Sequence, residues 1–135
     1  MMSKHFKKRF FITILIIAAL AIFMSYAKEN KHLSADEAMQ MMKSDSNVVI
    51  VDVRTKEEYM KKHIPGSILV PIADIREGKL DLLPDKNQTL LLYCWTGRRA
   101  EDATTFLTDR GYTNVYEFGG LIDWTGDVEG EEVNK

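Results

Sequence analysis

The sequence predicts an α/β fold in which a small parallel sheet is covered by helices on both faces and is preceded by one N-terminal apolar helix. Three observations carry this expectation: a long apolar run near the N-terminus, four short apolar runs typical of buried strands, and helix-start signals between those runs. At 135 residues, with 45% apolar and 28% charged side chains, one domain with an ordinary core is expected.

The first segment, residues 1–27, has the pattern of a targeting sequence. Three basic residues at positions 7–9 precede an apolar run at residues 10–24, interrupted in polarity only by Thr13. A signal-peptide core needs about 7 to 15 apolar residues and a membrane-spanning helix about 20. The run lies between these lengths, so its length does not decide between them.

Two alternatives therefore stay open for this segment. It is either a signal peptide cleaved after Ala27 or a membrane anchor through residues 10–26. In both cases the basic cluster keeps the N-terminus in the cytoplasm and places residues 28–135 outside it. The expected location is extracytoplasmic in a bacterium, anchored to the cell membrane or, after cleavage, periplasmic or secreted.

The rest of the chain is divided into a polar linker at residues 28–33, a domain at residues 34–126 and an acidic tail at residues 127–135, whose acids are expected to be solvated. Four strands are predicted, at residues 48–51, 68–70, 90–93 and 115–118. Helices are predicted at residues 34–43, 56–62 and 98–110, with one or two short helices within residues 72–83.

Local signals set the ends of these helices. Ser34 with Glu37 and Thr55 with Glu58 form the pattern of a capping box, in which each side chain binds the backbone amide of the other residue. Gly111 follows the last predicted helix, where a left-handed residue closes the final turn. Strands that alternate with helices in this way indicate parallel pairing with right-handed crossovers.

The single cysteine, Cys94, follows a buried strand and leads directly into a helix through Gly97, Arg98 and Arg99. This is the edge of a parallel sheet at which α/β proteins place their sites. Helix N-terminal amides and two arginines would favour a thiolate and would hold an anion. The alternative is a structural cysteine that is buried only as a small apolar side chain.

Composition excludes several other classes of site. One cysteine cannot form an internal disulfide, and the three histidines at positions 5, 32 and 63 are not at metal-ligand spacing, so we expect neither a metal nor a cofactor. Residues 28–135 carry 14 basic and 20 acidic residues, a net charge near −6. That sign argues against a nucleic-acid partner.

Three stretches of the chain together resemble the rhodanese family. They are residues 51–67 with the Asp-Val-Arg and His-Ile-Pro-Gly motifs, residues 93–100 with the cysteine loop, and residues 111–124 with the Gly-Gly-Leu-Ile-Asp-Trp motif. Within the family, the single-domain exported thiosulfate sulfurtransferases of the phage-shock type are the most similar group. The resemblance implies a rhodanese-like fold and transfer of sulfane sulfur through a persulfide on Cys94.

The same resemblance implies the partners and the residue roles. Thiosulfate or another small sulfane-sulfur donor would supply the sulfur, and a thiol or cyanide would accept it. Cys94 would be catalytic. The substrate-binding residues would be those of the loop that follows it: Trp95, Thr96, Gly97, Arg98 and Arg99. Structural support of the loop would come from Asp52, Arg54 and His63. Trp95 is larger than the commoner residue of the family, which would favour a bulkier or more apolar acceptor.

Other functions are weighed against this interpretation. A non-enzymatic persulfide carrier or a rhodanese-like binding module is the main alternative, although such modules usually resemble the family with the cysteine lost. Phosphatases and arsenate reductases resemble a Cys-x5-Arg pattern, which would require arginine at position 100. The chain has Ala100 there and Arg99 one residue earlier, which argues against that class.

Overall fold

A computed structural model describes residues 3–26 and 31–132 of the chain. Its contacts divide the chain into two units with the boundary between Asn30 and Lys31. Ala27, the residue at the expected cleavage site, and residues 28–30 of the predicted linker lie outside the described residues, as does the end of the tail.

The first unit contains the predicted N-terminal helix, α1, at Lys4–Tyr26. Four basic residues lie within its first six positions, and the apolar run follows them. In the part of the chain that the structure describes, no helix is long and apolar enough to cross a membrane.

The second unit is built around the predicted parallel sheet. Its strands are β1 at Val49–Asp52, β2 at Ile68–Leu69, β3 at Leu90–Cys94 and β4 at Val115–Gly120. They lie in the order β2-β1-β3-β4, and every neighbouring pair is parallel. All five residues of β3 are buried, as the continuous apolar run predicts for a central parallel strand.

Four helices connect or precede these strands: α2 at Ala35–Ser44, α3 at Lys56–Lys61, α4 at Ile72–Glu77 and α5 at Arg98–Asp109. The capping box of Ser34 and Glu37 is complete, since each side chain binds the backbone amide of the other residue. The one predicted for Thr55 and Glu58 is only half formed. Thr55 accepts a hydrogen bond from the Glu58 amide, but the Glu58 carboxylate pairs with Arg99 instead.

The core lies on both faces of the sheet. On one face Leu90, Leu92 and Cys94 pack with residues of α4 and α5. On the other, Leu91 and Tyr93 pack with α2 and with the segment that follows β4. Each fully buried leucine contributes about 1.5 to 3 kcal/mol relative to an exposed one, so β3 is held firmly in register. The predicted helical cover on both faces is confirmed.

The acidic segment after β4 has exposed acidic side chains, as expected for its acids, but its backbone is bound to the end of α3. His63 and Glu129 exchange backbone hydrogen bonds, and the amides of Glu131 and Glu132 donate to the carbonyl oxygens of Met60 and Lys61. These bonds satisfy carbonyl groups that the end of a helix leaves free.

Candidate functional site

The predicted cysteine loop lies at the carboxyl edge of the sheet, between β3 and α5. Cys94 is the last residue of β3 and is 1% exposed, and Gly97 is the N-cap of α5. The Gly97 amide donates a hydrogen bond to Sγ of Cys94 over 3.0 Å. The chain therefore curls around the sulfur, and the positive end of the α5 dipole lies beside it.

Close backbone contacts hold this loop in place. Gly97 has a φ of 104°, and a Cβ on it would lie 3.0 Å from Cα of Gly119. A Cβ on Gly120 would lie 2.0 Å from the carbonyl oxygen of Trp95, which no side chain can tolerate. Beyond the glycines, the amides of Leu121 and Ile122 donate to the carbonyl oxygens of Cys94 and Trp95. The Gly-Gly segment thus supports the loop from behind.

The remaining loop residues face outward to different degrees. Trp95, Thr96 and Arg98 are exposed. The Arg99 side chain is 34% exposed and forms a two-point ion pair with Glu58, with nitrogen-to-oxygen distances of 3.1 and 3.3 Å. One arginine is therefore free to attract an anion from solution, whereas the other is fixed at the rim.

Asp52 and Arg54 form a buried ion pair below the loop. Arg54 is 3% exposed, and its Nε and Nη2 donate to both carboxylate oxygens of Asp52, while Nη2 also donates to the carbonyl oxygen of Lys62. Burial acts to lower the pKa of Arg54, but the hydrogen bond and the charge of Asp52 outweigh it, so the pKa is raised. Removing one partner of such a pair costs about 3 to 5 kcal/mol, because the other charge stays buried alone.

His63 is fixed in the turn that follows α3. Its Nδ1 donates to the carbonyl oxygen of Tyr59 over 2.7 Å, its ring stacks on the Tyr59 ring, and its Nε2 lies 3.0 Å from a carboxylate oxygen of Glu129. Both ring nitrogens are therefore occupied by neighbours within the protein. These contacts hold the ring in the turn, and its support of the cysteine loop stays a prediction.

A groove of about 200 Å³ opens beside the cysteine loop. Its lining residues come from the end of β1, from α3, from the loop and from the acidic segment: Arg54, Glu58, Lys61, Lys62, Trp95 and Glu132. The ammonium nitrogen of Lys62 lies 5.4 Å from the centroid of the Trp95 ring. The groove thus combines an aromatic wall with charges of both signs.

Sequence reasoning missed three contributors to this region. Glu58 was interpreted only as a cap, Glu132 as part of a solvated tail, and Lys62 as the end of a helix. Each contacts the site through a partner distant in sequence, such as Arg99, which is 41 positions after Glu58. The acidic tail offered the one signal for a contribution to the site. The tail follows a glycine pair, and that pair leads the chain back toward the loop.

Comparison with known proteins agrees with this arrangement. A family model described as "Rhodanese-like domain" matches residues 34–127. The chain is 40% identical over 73 residues to "Thiosulfate sulfurtransferase PspE" of Escherichia coli strain K12, a match that covers 54% of this chain and 70% of that protein. It is 34% identical over 98 residues to "Putative sulfur carrier protein YrkF" of Bacillus subtilis strain 168, covering 72% of this chain and 52% of that protein.

The fold is similar to that of a solved structure as well. A structure described as "rhodanese with anions from E. coli" is 34% identical and superposes with a TM-score of 0.57, covering 62% of this chain and 99% of the other. The chain spans about half the length of the YrkF protein. The family model matches residues 34–127, which include the cysteine loop. The chain therefore belongs to the rhodanese-like domain family of sulfurtransferases.

Proposed function

We propose that the domain is a thiosulfate sulfurtransferase that carries sulfane sulfur on Cys94. The observation that carries the proposal is the Gly97 amide at 3.0 Å from Sγ, at the N-terminus of α5. An amide in this position stabilises negative charge on the cysteine sulfur and on a sulfur attached to it. The similarity to PspE supports thiosulfate as the donor.

The reaction begins when the Cys94 thiolate attacks the outer sulfur of thiosulfate. A bond forms between Sγ and that sulfur, the sulfur–sulfur bond of thiosulfate breaks, and sulfite leaves with the electron pair. Arg99 lies at the loop rim, where a charge-assisted hydrogen bond would hold the oxygens of the donor. Arg98, being exposed, would raise the local concentration of the dianion.

The second half of the reaction returns the cysteine to its thiolate. Cyanide or the thiolate of an acceptor attacks the outer sulfur of the persulfide, and the bond between that sulfur and Sγ breaks. No oxidant, metal or second cysteine takes part in either step. Asp52, Arg54 and His63 support the loop and touch no reacting atom in this proposal.

The test is mass spectrometry of the intact protein after incubation with thiosulfate. We expect a mass increase of one sulfur atom, release of sulfite, and formation of thiocyanate with loss of the extra mass when cyanide is added. The chain has one cysteine, so Cys94→Ser should abolish all three results while keeping the circular dichroism spectrum. A protein that hydrolyses an aryl phosphate and never gains sulfur would refute the proposal.

A persulfide carrier is the second candidate, favoured by the similarity to a protein named as a putative sulfur carrier. A carrier would receive its sulfur from a partner protein and would gain none from thiosulfate alone. Loading by thiosulfate alone, followed by repeated turnover with cyanide, therefore distinguishes the enzyme from the carrier.

We also propose that the domain acts outside the cytoplasm. The basic residues at the start of α1 are followed by the apolar run, and this order directs the following chain across the membrane. Thiosulfate and small thiols, which are soluble, would then reach the exposed loop from the aqueous phase.

A further inference from the structure

We infer that the groove beside Trp95 binds the sulfur acceptor, and that the acceptor is a small thiol of amino-acid type that carries both an ammonium and a carboxylate group. This inference rests on the proposed function, because it concerns the second half of the same reaction. It assigns chemistry to residues that the loop itself does not include.

The groove lies at the same edge of the sheet as Cys94. Asp52 of β1 pairs with Tyr93 of β3, so Arg54 and Trp95, each two residues further along, lie side by side beyond the strand ends. Both line the groove. A molecule bound there is therefore next to the residue that directly follows the cysteine.

Two polar atoms of the groove are available to a ligand. Among the described residues, none accepts a hydrogen bond from Nη1 of Arg54, although its Nε and Nη2 are used. Oε2 of Glu58 is buried and receives no hydrogen bond, and its ion-pair partner is Arg99 at 3.1 Å. A ligand that donates to this oxygen and accepts from Nη1 would add a charge-assisted hydrogen bond at each atom, which is stronger than a neutral one.

The chemistry of these atoms defines the ligand. Nη1 of Arg54 needs an acceptor such as a carboxylate, and Lys61 and Lys62 add positive charge at the same wall. Oε2 of Glu58 needs a donor such as an ammonium group, and Glu132 adds negative charge. A ligand with a single charge would satisfy only one of these atoms.

Size and shape agree with a small molecule. Sites for drug-sized ligands have volumes of about 300 to 1,000 Å³, whereas this groove measures about 200 Å³. The Trp95 side chain is 41% exposed and offers an apolar face for the short carbon chain between the charged groups and the sulfur. The thiolate then attacks the outer persulfide sulfur, its new bond to that sulfur replaces the bond to Sγ, and Sγ leaves as a thiolate.

The test compares four thiols on the full-length protein loaded to completion with thiosulfate and then freed of it. Cysteine carries both charges, cysteamine only the ammonium, 3-mercaptopropionate only the carboxylate, and 2-mercaptoethanol neither. The second-order rate constant for removal of the sulfur is measured for each thiol by mass spectrometry. Ratios of variant to wild type cancel the intrinsic reactivity of each thiol.

Two variants remove one charge each and leave the residues of the loop unchanged. Glu132→Gln should slow the reaction of cysteine and cysteamine by about two- to fivefold, the range of an exposed ion pair, and leave 3-mercaptopropionate unchanged. Lys62→Met should slow cysteine and 3-mercaptopropionate to a similar extent and leave cysteamine unchanged. The Lys62 carbonyl that binds Arg54 belongs to the backbone and is kept.

Matched controls make the same charge changes outside the groove. Glu131→Gln lies one residue from Glu132, and Lys56→Met lies on the same helix as Lys61, and neither residue lines the groove. Both should leave all four rate constants unchanged. Ratios near one for every thiol in both groove variants, or equal losses with all four, would overturn the inference. Failure of the wild-type protein to gain sulfur from thiosulfate, or to give thiocyanate with cyanide, would instead refute the proposed function.

Discussion

The two loop arginines have different surroundings and should therefore have different effects on the reaction. Arg99→Ala removes a half-buried guanidinium at the rim, and we expect a higher KM for thiosulfate and a loss in kcat/KM of about 2 kcal/mol, typical of a charged hydrogen bond. Arg98→Ala removes an exposed charge, so its smaller effect should fade as salt screens it over about 8 Å. Steady-state kinetics at low and high salt measure both.

Two outcomes of these measurements would contradict the expected difference between the arginines. Equal and salt-insensitive losses would mean that both arginines bind the donor. A negligible loss for Arg99→Ala would show that the loop amides hold the donor without it, and that Arg99 serves only to pair with Glu58.

For individual residues, the sequence predicts contacts between residues that are close together in the chain. It misses contacts between residues that are far apart in the chain. The Ser34 cap and the curl of Gly97 around Cys94 depend on residues three positions apart, so local patterns are sufficient to predict them. The Glu58 carboxylate has both a local and a distant partner available. The pairing with Arg99 joins residues 41 positions apart, which the local capping pattern does not describe.

Strand β3 contains a titratable group, Tyr93, that makes the stability of the domain depend on pH in the alkaline range. Burial, and next the charge of Asp52, raise the pKa of Tyr93 above its ordinary value. Tyr93 is protonated in the folded protein at a pH where the unfolded chain has already lost the proton. Its contribution to stability is thus complete below about pH 10, the ordinary tyrosine pKa, and is lost as the pH rises further.

The variant Tyr93→Phe should separate the effect of Tyr93 from the effects of other groups that titrate in the same pH range, such as Tyr112. Near pH 8 the variant should be less stable by about 1 to 3 kcal/mol, because the buried Ile64 amide loses the hydroxyl that accepts its hydrogen bond. Above pH 10 the wild-type free energy of unfolding should fall by up to about 1.4 kcal/mol more per pH unit than that of the variant. Urea denaturation at several pH values measures both curves, and parallel curves would contradict the assignment.

Helices and strands were predictable where a hydrophobic periodicity or an apolar run marked them in the sequence. All four strands and the helices between them follow from apolar runs and capping signals, with ends that differ by one or two residues for most of them. The extension of β4 through Gly119 and Gly120 was not predicted, because glycine is normally unfavourable in strands. At Gly120 the absence of a side chain is what lets the cysteine loop pack against the strand.

For the whole molecule, the order of basic and apolar residues in α1 predicts the topology. A reporter that is active only outside the cytoplasm, fused after Lys135, should be active in a bacterial host. Replacing Lys7, Lys8 and Arg9 by glutamine should lower that activity, whereas the same replacement of exposed Lys43, Lys56 and Lys79 should not. Activity of a cytoplasmic reporter at the same position would contradict the extracytoplasmic location.

The parallel topology has a consequence for how fast the domain folds. Leu90 pairs with Val49, about 40 residues before it, and with Val115, 25 residues after it, so no two neighbouring strands are joined by a hairpin. Domains with such distant pairings fold more slowly than helical domains of similar stability. Until both neighbours of β3 have arrived, its five consecutive apolar or sulfur-bearing residues, Cys94 included, are open to other chains. Completing the sheet therefore both forms the candidate site and removes this aggregation-prone segment from solvent.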